Sequence, residues 1–325
     1  MSTQRLGIVL STATAAPPKE LVEIGQLAEA HGFAAVLVNE GRGDALACAE
    51  AIALGTKHIQ VGTNIANIYY RHPFLAAMTA ETIADLSDGR LILGLGISHR
   101  PLLESMGIEM GKPRDKLRAY TETVKRILEG EEVSPLFPAK ASAYKTPILL
   151  AGLTAESARL AGEVADGFMP FLASKNYLSE LLSEAQKAGV KQGHDMADFD
   201  CILSIPTFLS DDIPAAMSAA KNNLAFFAQL PNYRLQWRRC GFEDEVEAME
   251  AAWESGNRRK AAAAVSQQMV EEICLYGSVD MCRDQLREFE SAGAQMPVLA
   301  ISPVNDNRLN ATRRVIQALA PEKKP

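Results

Sequence analysis

Short apolar runs alternate with amphipathic stretches along the first half of the chain, and the alternation predicts strands and helices in turn. Arg5 to Leu10 is an apolar strand, followed by a polar, Pro-containing loop. From Lys19 to His31 the apolar positions fall at Leu21, Ile24 and Leu27/Ala28, one face of a helix that Gly32 stops. Phe33 to Val38 is a second strand, Asp44 can cap a helix running to Gly55, and Ile59 to Gly62 is a third strand. Pro73 suits the first position of a helix through Leu86. Ser87-Asp88-Gly89 turns the chain into a fourth strand, Arg90 to Leu95.

The second half keeps the rhythm with two departures. Arg114 to Leu128 is helical and closed by Gly130, whereas Glu131 to Thr146 has no long period and reads as an excursion with a short strand at Leu136-Phe137. Pro147 to Ala151 is strand five, Thr154 caps a helix ending near Gly162, and Gly167 to Pro170 is strand six. Ser174 begins a helix ending near Gly189, and Cys201 to Leu209 is strand seven. The stretch Asp211 to Met269 is helical almost throughout, far longer than an ordinary crossover. Ser278 to Ala292 is a further helix, Met296 to Ile301 is strand eight, and the tail from Ala318 to Pro325 is expected to fray. Eight strands alternating with helices predict an α/β (β/α)8 TIM barrel, one domain over 1–325, with a helical insertion at 211–269 between strands seven and eight.

A doubly wound sheet is the competing architecture. It normally carries a Gly-rich phosphate turn after an early strand. The first loop, Ser11-Thr12-Ala13-Thr14-Ala15-Ala16, has no glycine, and Gly94-Leu95-Gly96 is only a fragment of such a turn. The strand count and this absence favour the barrel.

Charge narrows the partners. The net charge of −7 argues against a nucleic-acid footprint, and the short basic clusters at Arg234, Arg238 and Arg239 and at Arg258, Arg259 and Lys260 read as solvated faces. The five cysteines are scattered without a CxxC pair, as expected of reduced thiols in a cytoplasmic protein. The N-terminal apolar run is too short to span a membrane. A small-molecule substrate is the remaining expectation.

In a barrel the chemistry sits at the C-terminal ends of the strands. After strand two come Asn39, Glu40, Gly41, Arg42, Gly43 and Asp44. After strand three come Thr63, Asn64 and Ile65, then Tyr69, Tyr70, Arg71 and His72. Strand four leads into Ile97, Ser98, His99 and Arg100, and strand five into Gly152. Gly277-Ser278 offers backbone N–H groups and a hydroxyl for a phosphate. No metal spacing is present, nor a G-x-S-x-G elbow or a Walker loop. His31, His58 and His194 have structural explanations; His72 is either a cap or a site residue, and His99 is the better placed candidate.

Taken together, these segments resemble a known family. Gly62-Thr63-Asn64-Ile65-Ala66-Asn67-Ile68-Tyr69-Tyr70-Arg71-His72-Pro73 is similar to the strand-three segment of luciferase-like barrel oxidoreductases. Asp85-Leu86-Ser87-Asp88-Gly89-Arg90, Leu93-Gly94-Leu95-Gly96-Ile97-Ser98 and Leu160-Ala161-Gly162-Glu163-Val164-Ala165-Asp166-Gly167-Phe168 follow in register. Within that family the chain most resembles the coenzyme F420-dependent branch, which includes methylenetetrahydromethanopterin reductases.

The resemblance implies a ring cofactor in the barrel mouth, backed by a bulge after strand three with a non-prolyl cis peptide, here Asn64–Ile65, where glycine is more usual than Asn64. It implies that Glu40 approaches the cofactor, that Thr63 to Ala66 form the backing, and that Ser98 hydrogen-bonds the cofactor. Ala151-Gly152 would line the ring, Gly277-Ser278 would help hold the phosphate, and His99 would donate a proton near the substrate. Glu40-Gly41-Arg42 stands where some F420 dehydrogenases carry a histidine, which puts alcohol or sugar-phosphate dehydrogenase chemistry in doubt. The expected function is hydride transfer between deazaflavin C5 and a small organic substrate, by a homodimer. The alternatives are an FMN-dependent monooxygenase and a non-catalytic flavin-binding barrel.

Overall fold

A computed structural model describes residues 4–12, 17–132, 134, 135 and 140–321. Ten parallel strands run in chain order: β1 (Gly7–Ser11), β2 (Ala35–Asn39), β3 (Gln60–Thr63), β4 (Ala66–Asn67), β5 (Leu91–Gly96), β6 (Ile148–Ala151), β7 (Gly167–Met169), β8 (Asp200–Leu209), β9 (Leu275–Gly277) and β10 (Met296–Ile301). Eight of them close on themselves in the order β10-β1-β2-β3-β5-β6-β7-β8, because β10 pairs with β8 as well as with β1. The (β/α)8 barrel is the fold, and its eight strands are those the apolar runs predict. The two extra strands are short. β4 continues the β3 edge against Leu95 and Gly96, and β9 pairs with Thr207–Leu209 at the top of β8.

Alternation along the strands sorts the apolar side chains into two cores. Ala35, Leu37, Ile92, Leu149, Ile202 and Val298 fill the barrel interior, whereas Val36, Val38, Leu93, Leu150 and Leu203 pack outward beneath the helices. Pairing of β3 with β5 needs Gly62: a Cβ there would lie 2.1 Å from the Ile92 carbonyl oxygen.

Most helix boundaries agree with the capping signals. Asp44 accepts from the Leu46 and Ala47 amides at the start of helix Ala45–Gly55, and Pro73 opens helix Pro73–Leu86. His72 caps that helix through Nδ1, which accepts from the Phe74 amide at 3.2 Å, so the cap role is the one realised. Helix Arg100–Ser105 was not foreseen; its six residues are too few to show a period. Neither was helix Arg308–Ala318, which absorbs the start of the expected loose tail and leaves Leu319 buried. The strand expected at Leu136-Phe137 lies outside the described residues, as do Ala13 to Ala16 of the first loop.

The long helical stretch resolves into Ile213–Phe227, Pro231–Arg239, Glu243–Glu254, Arg258–Ala264 and Gln267–Ile273. These helices gather their own apolar core around Trp237, Met249, Met269 and Val270. They are tied to the barrel through the loop after β7, where Gln236 Nε2 donates to the Phe171 carbonyl and Trp237 Nε1 to the Leu172 carbonyl. Helix Val279–Ser291 then makes the crossover to β10. No helix among the described residues is long and apolar enough to cross a membrane.

Candidate functional site

The barrel mouth has a floor and two unlike walls. Val9, Ile65 and Ala151 are partly buried side chains packed on top of the interior core, and they make the floor. Gly96 is wedged among them: a Cβ there would come 2.8 Å from Ile65 Cγ1 and 3.3 Å from Ala151 Cβ.

The first wall is the bulge between β3 and β4. Its Asn64–Ile65 peptide is cis, at the bond named from the sequence. Thr63 is buried and donates its hydroxyl to the Gly94 carbonyl at 2.7 Å. The Asn64 amide donates to the Val38 carbonyl, and its side-chain Nδ2 donates to Ser204 Oγ at 2.6 Å. Ser204 lies on β8, four strands from β3 by either route round the barrel, so Asn64 reaches across the interior. Ile65 receives the Glu40 amide on its carbonyl at 3.3 Å, and Ala66 is buried in register with Leu95.

Glu40 is committed to this bulge. One carboxylate oxygen accepts from the Asn67 amide at 2.5 Å, and the other pairs with Arg71 Nη2. Both side chains are nearly sealed, 5% exposed for Glu40 and 9% for Arg71. Arg71 also reaches Asp44 at 3.1 Å. Burial by itself weakens the hold of Arg71 on its proton, but the Glu40 carboxylate and then Asp44 outweigh it and raise the guanidinium above its ordinary value. Tyr120 stands behind the pair, its hydroxyl pushed up to about 12, chiefly by burial. Asn67 Nδ2 and Arg71 Nη1 remain buried without a partner among the described residues. Buried donors of this kind are costly unless something accepts from them.

The second wall comes from the insertion and the loop after β7. Phe171, Phe227, Tyr233 and Trp237 meet edge-on or tilted, with centroid separations of 5.1 Å for Phe227–Tyr233 and 5.9 Å for Phe171–Tyr233. His99 joins them from the β5 side, 5.5 Å from the Tyr233 ring. Burial lowers the His99 pKa, which favours the neutral imidazole, and its buried Nδ1 has no partner among the described residues. Ser98 precedes it in a left-handed conformation, φ 58°.

The other expected site residues diverge. Ala151 is on the floor, but Gly152 serves the next helix: a Cβ there would fall 2.3 Å from Ser157, which completes the capping box with Thr154. Gly277 ends β9 and Ser278 follows it, at the top of β8 and across the barrel from the bulge. The Ser278 hydroxyl oxygen accepts from the Met281 amide and caps its own helix. They are not brought to the bulge. Asn67, Arg71 and Ser204 are; the sequence offers Arg71 only as one of the rim groups and gives Asn67 and Ser204 no role. The signal for Ser204 was a polar residue inside an apolar strand; for Arg71 it was a cation two residues before a helix-opening proline.

Comparisons with known proteins agree with this geometry. Residues 3–296 match the family model described as luciferase-like monooxygenase. A candidate coenzyme F420-dependent oxidoreductase of Mycobacterium tuberculosis is 27% identical, with the alignment covering 91% of this chain and 94% of that one. The 5,10-methylenetetrahydromethanopterin reductase of Archaeoglobus fulgidus is 26% identical over 84% of this chain and 86% of its own. Among solved structures, the coenzyme F420-dependent tetrahydromethanopterin reductase of Methanopyrus kandleri superposes with a TM-score of 0.80 at 21% identity, covering 98% of this chain and 99% of that one. A Baeyer–Villiger monooxygenase component from Pseudomonas putida in complex with FMN superposes at 0.67 and 16% identity, with 98% of each chain covered.

Proposed function

Because this chain belongs to the luciferase-like monooxygenase family, we propose that it is an oxidoreductase using coenzyme F420, exchanging a hydride with a small organic substrate in the barrel mouth. The observation that carries this is the bulge. It sets Ile65 with Ala151 of β6 as an apolar floor, and within the bulge wall Asn67 Nδ2 and Arg71 Nη1 are buried without a partner among the described residues. An apolar seat of this kind suits the face of a planar ring. When bound there, the deazaflavin supplies a hydride-carrying carbon, C5, and the chain supplies binding and orientation.

On this proposal Glu40 is a positioning residue. It holds the Asn67 amide and Arg71, and so keeps the bulge in place. Thr63, Asn64, Ile65 and Ala66 form the backing, and Ser98 and His99 flank the reacting face. A neutral His99, its buried Nδ1 unpaired among the described residues, is suited to moving one proton once a ligand reaches that atom. The aromatic wall excludes water from the same side.

Separate titrations of the purified chain with F420 and FMN, followed by fluorescence, test the cofactor. Tight F420 binding with weak FMN binding is expected, together with anaerobic turnover of F420. Preference for FMN with consumption of dioxygen would move the chain to the monooxygenase alternative, and binding without turnover across a substrate panel to the non-catalytic one.

The homodimer also remains a proposal. Leu54, Leu75, Met78 and Leu86 leave large apolar groups exposed on helices Ala45–Gly55 and Pro73–Leu86. Light scattering at micromolar concentration should give twice the chain mass; a monomer mass sinks it.

A further inference from the structure

Beside the bulge, past Asn39 at the end of β2, a cleft of about 810 Å³ opens between the ends of β1 and β10, the helix Pro18–Ala30 and the insertion. None of the bulge residues Thr63 to Ala66 lines it. Its walls are largely apolar, with Ile24, Phe226, Phe227 and Ile301 among them. Such a volume suits a small ligand with a hydrocarbon or aromatic body.

Two charged groups line the cleft, Glu20 and Arg308. Arg308 is the unusual one. Its Nη1 donates to the Ile301 carbonyl at 2.8 Å, which pins the guanidinium at the end of β10. The nearby carboxylate of Asp306 is engaged by Arg314 instead, at 3.1 Å. Among the described residues no carboxylate forms an ion pair with Arg308, Glu20 included, and the side chain is exposed, so its remaining N–H groups are open to solvent and to a ligand. Most other arginines that touch the barrel are neutralised, as Arg5 is by Asp200 and Arg71 by Glu40 and Asp44. Arg90, which is not, spreads its N–H groups over Thr56 and four backbone carbonyls. Arg308 makes one such bond and keeps further N–H donors in a fixed fork, the geometry that binds a carboxylate through two hydrogen bonds.

We propose that this cleft is the substrate side of the site and takes an organic acid, its apolar body against Ile24, Phe226 and Phe227 and its carboxylate paired with Arg308. This rests on the hydride-transfer function proposed above and names the class of substrate for it. The carboxylate serves recognition only; the reacting carbon lies elsewhere on the molecule, toward Asn39 and the bulge.

Calorimetric titration of the full chain with hexanoate, cinnamate and decanoate, each against its neutral amide, tests the proposal. At least one acid should bind the wild-type chain roughly tenfold or more tightly than its amide, the margin of a charge-assisted hydrogen bond. Arg308→Met should erase that preference with amide affinity unchanged, Arg308→Lys should keep part of it, and F420 should bind all three chains equally. No preference for any acid in the wild type, including no binding of acid or amide, overturns the proposal without recourse to a variant that could misfold. So does a preference that survives Arg308→Met. If Arg308→Met weakens F420 instead and spares the acids, the carboxylates recognised belong to the acidic tail of that cofactor, and the substrate assignment falls. If the wild type fails to bind F420 but shows an Arg308-dependent preference for acids, the cleft proposal stands and the cofactor is what fails.

Discussion

The two walls of the mouth are built on opposite principles. The bulge wall is held by directional bonds: Glu40 to the Asn67 amide and Arg71, Thr63 to Gly94, and Asn64 to Ser204 across the barrel. Each joins groups far apart in sequence, so the bulge moves only if several buried polar groups lose partners together. The insertion wall is held by ring contacts and apolar burial around Tyr233 and Trp237, with a few ties such as Gln236 to Phe171. Ring packing has broad minima and tolerates exchange of one shape for another. A wall of fixed donors suits a constant ligand, and a wall of aromatic faces suits one that varies. This is the physical basis for placing the cofactor on the bulge and the substrate toward the insertion.

Breaking the first wall should have the largest effect. Glu40→Ala leaves the Arg71 guanidinium nearly sealed, with only the more exposed Asp44 as counter-charge. We expect a stability loss of roughly 2–4 kcal/mol in denaturant unfolding, together with loss of F420 affinity. The double variant Glu40→Ala/Arg71→Met should recover part of the stability but none of the affinity. A Glu40→Ala chain that binds F420 like wild type would remove the carboxylate from the cofactor wall.

The same measurement on the second wall should separate the two effects. Phe227→Ala removes one ring from the cluster with Phe171, Phe226 and Tyr233. Phe227 is only half-buried, so the expected cost is about 1–2 kcal/mol. Substrate KM should rise while F420 affinity stays put. Equal damage to both ligands would show that the walls do not divide the work.

The smallest expected effect is at His99, where the walls meet. Burial depresses its pKa below the ordinary 6.5, so the unfolded chain takes up a proton at a pH where the folded chain does not. Its neutral form costs nothing above the ordinary value; stability is lost as pH falls from about 6.5 toward the lower folded value. Wild type should therefore lose melting temperature between pH 7 and pH 5 more steeply than His99→Gln. Parallel curves would place the ring in contact with water.

Local chemistry explains what could be foreseen. Capping side chains and the prolines that open helices act within a few residues, so Asp44, Pro73, Thr154 and Ser174 mark boundaries that the structure keeps. Eight apolar strands need helices on their outer faces, and that pattern is present in the linear order. The place of Glu40 at a strand end was likewise legible, whereas the bulge at Thr63 to Ala66 was implied only by the family resemblance. The sequence by itself therefore determined the barrel, its insertion and the rim segment that carries the candidate site. Partnership was decided by the tertiary structure alone. That Glu40 is consumed by Arg71 and Asn67, and that Asn64 meets Ser204 140 residues away, depend on barrel closure, as does the placing of Arg308 at the cleft with no ion pair among the described residues. The reason is range: a cap or a period is set by neighbours along the chain, whereas the partner of a charge is set by which strand ends the closed barrel brings together.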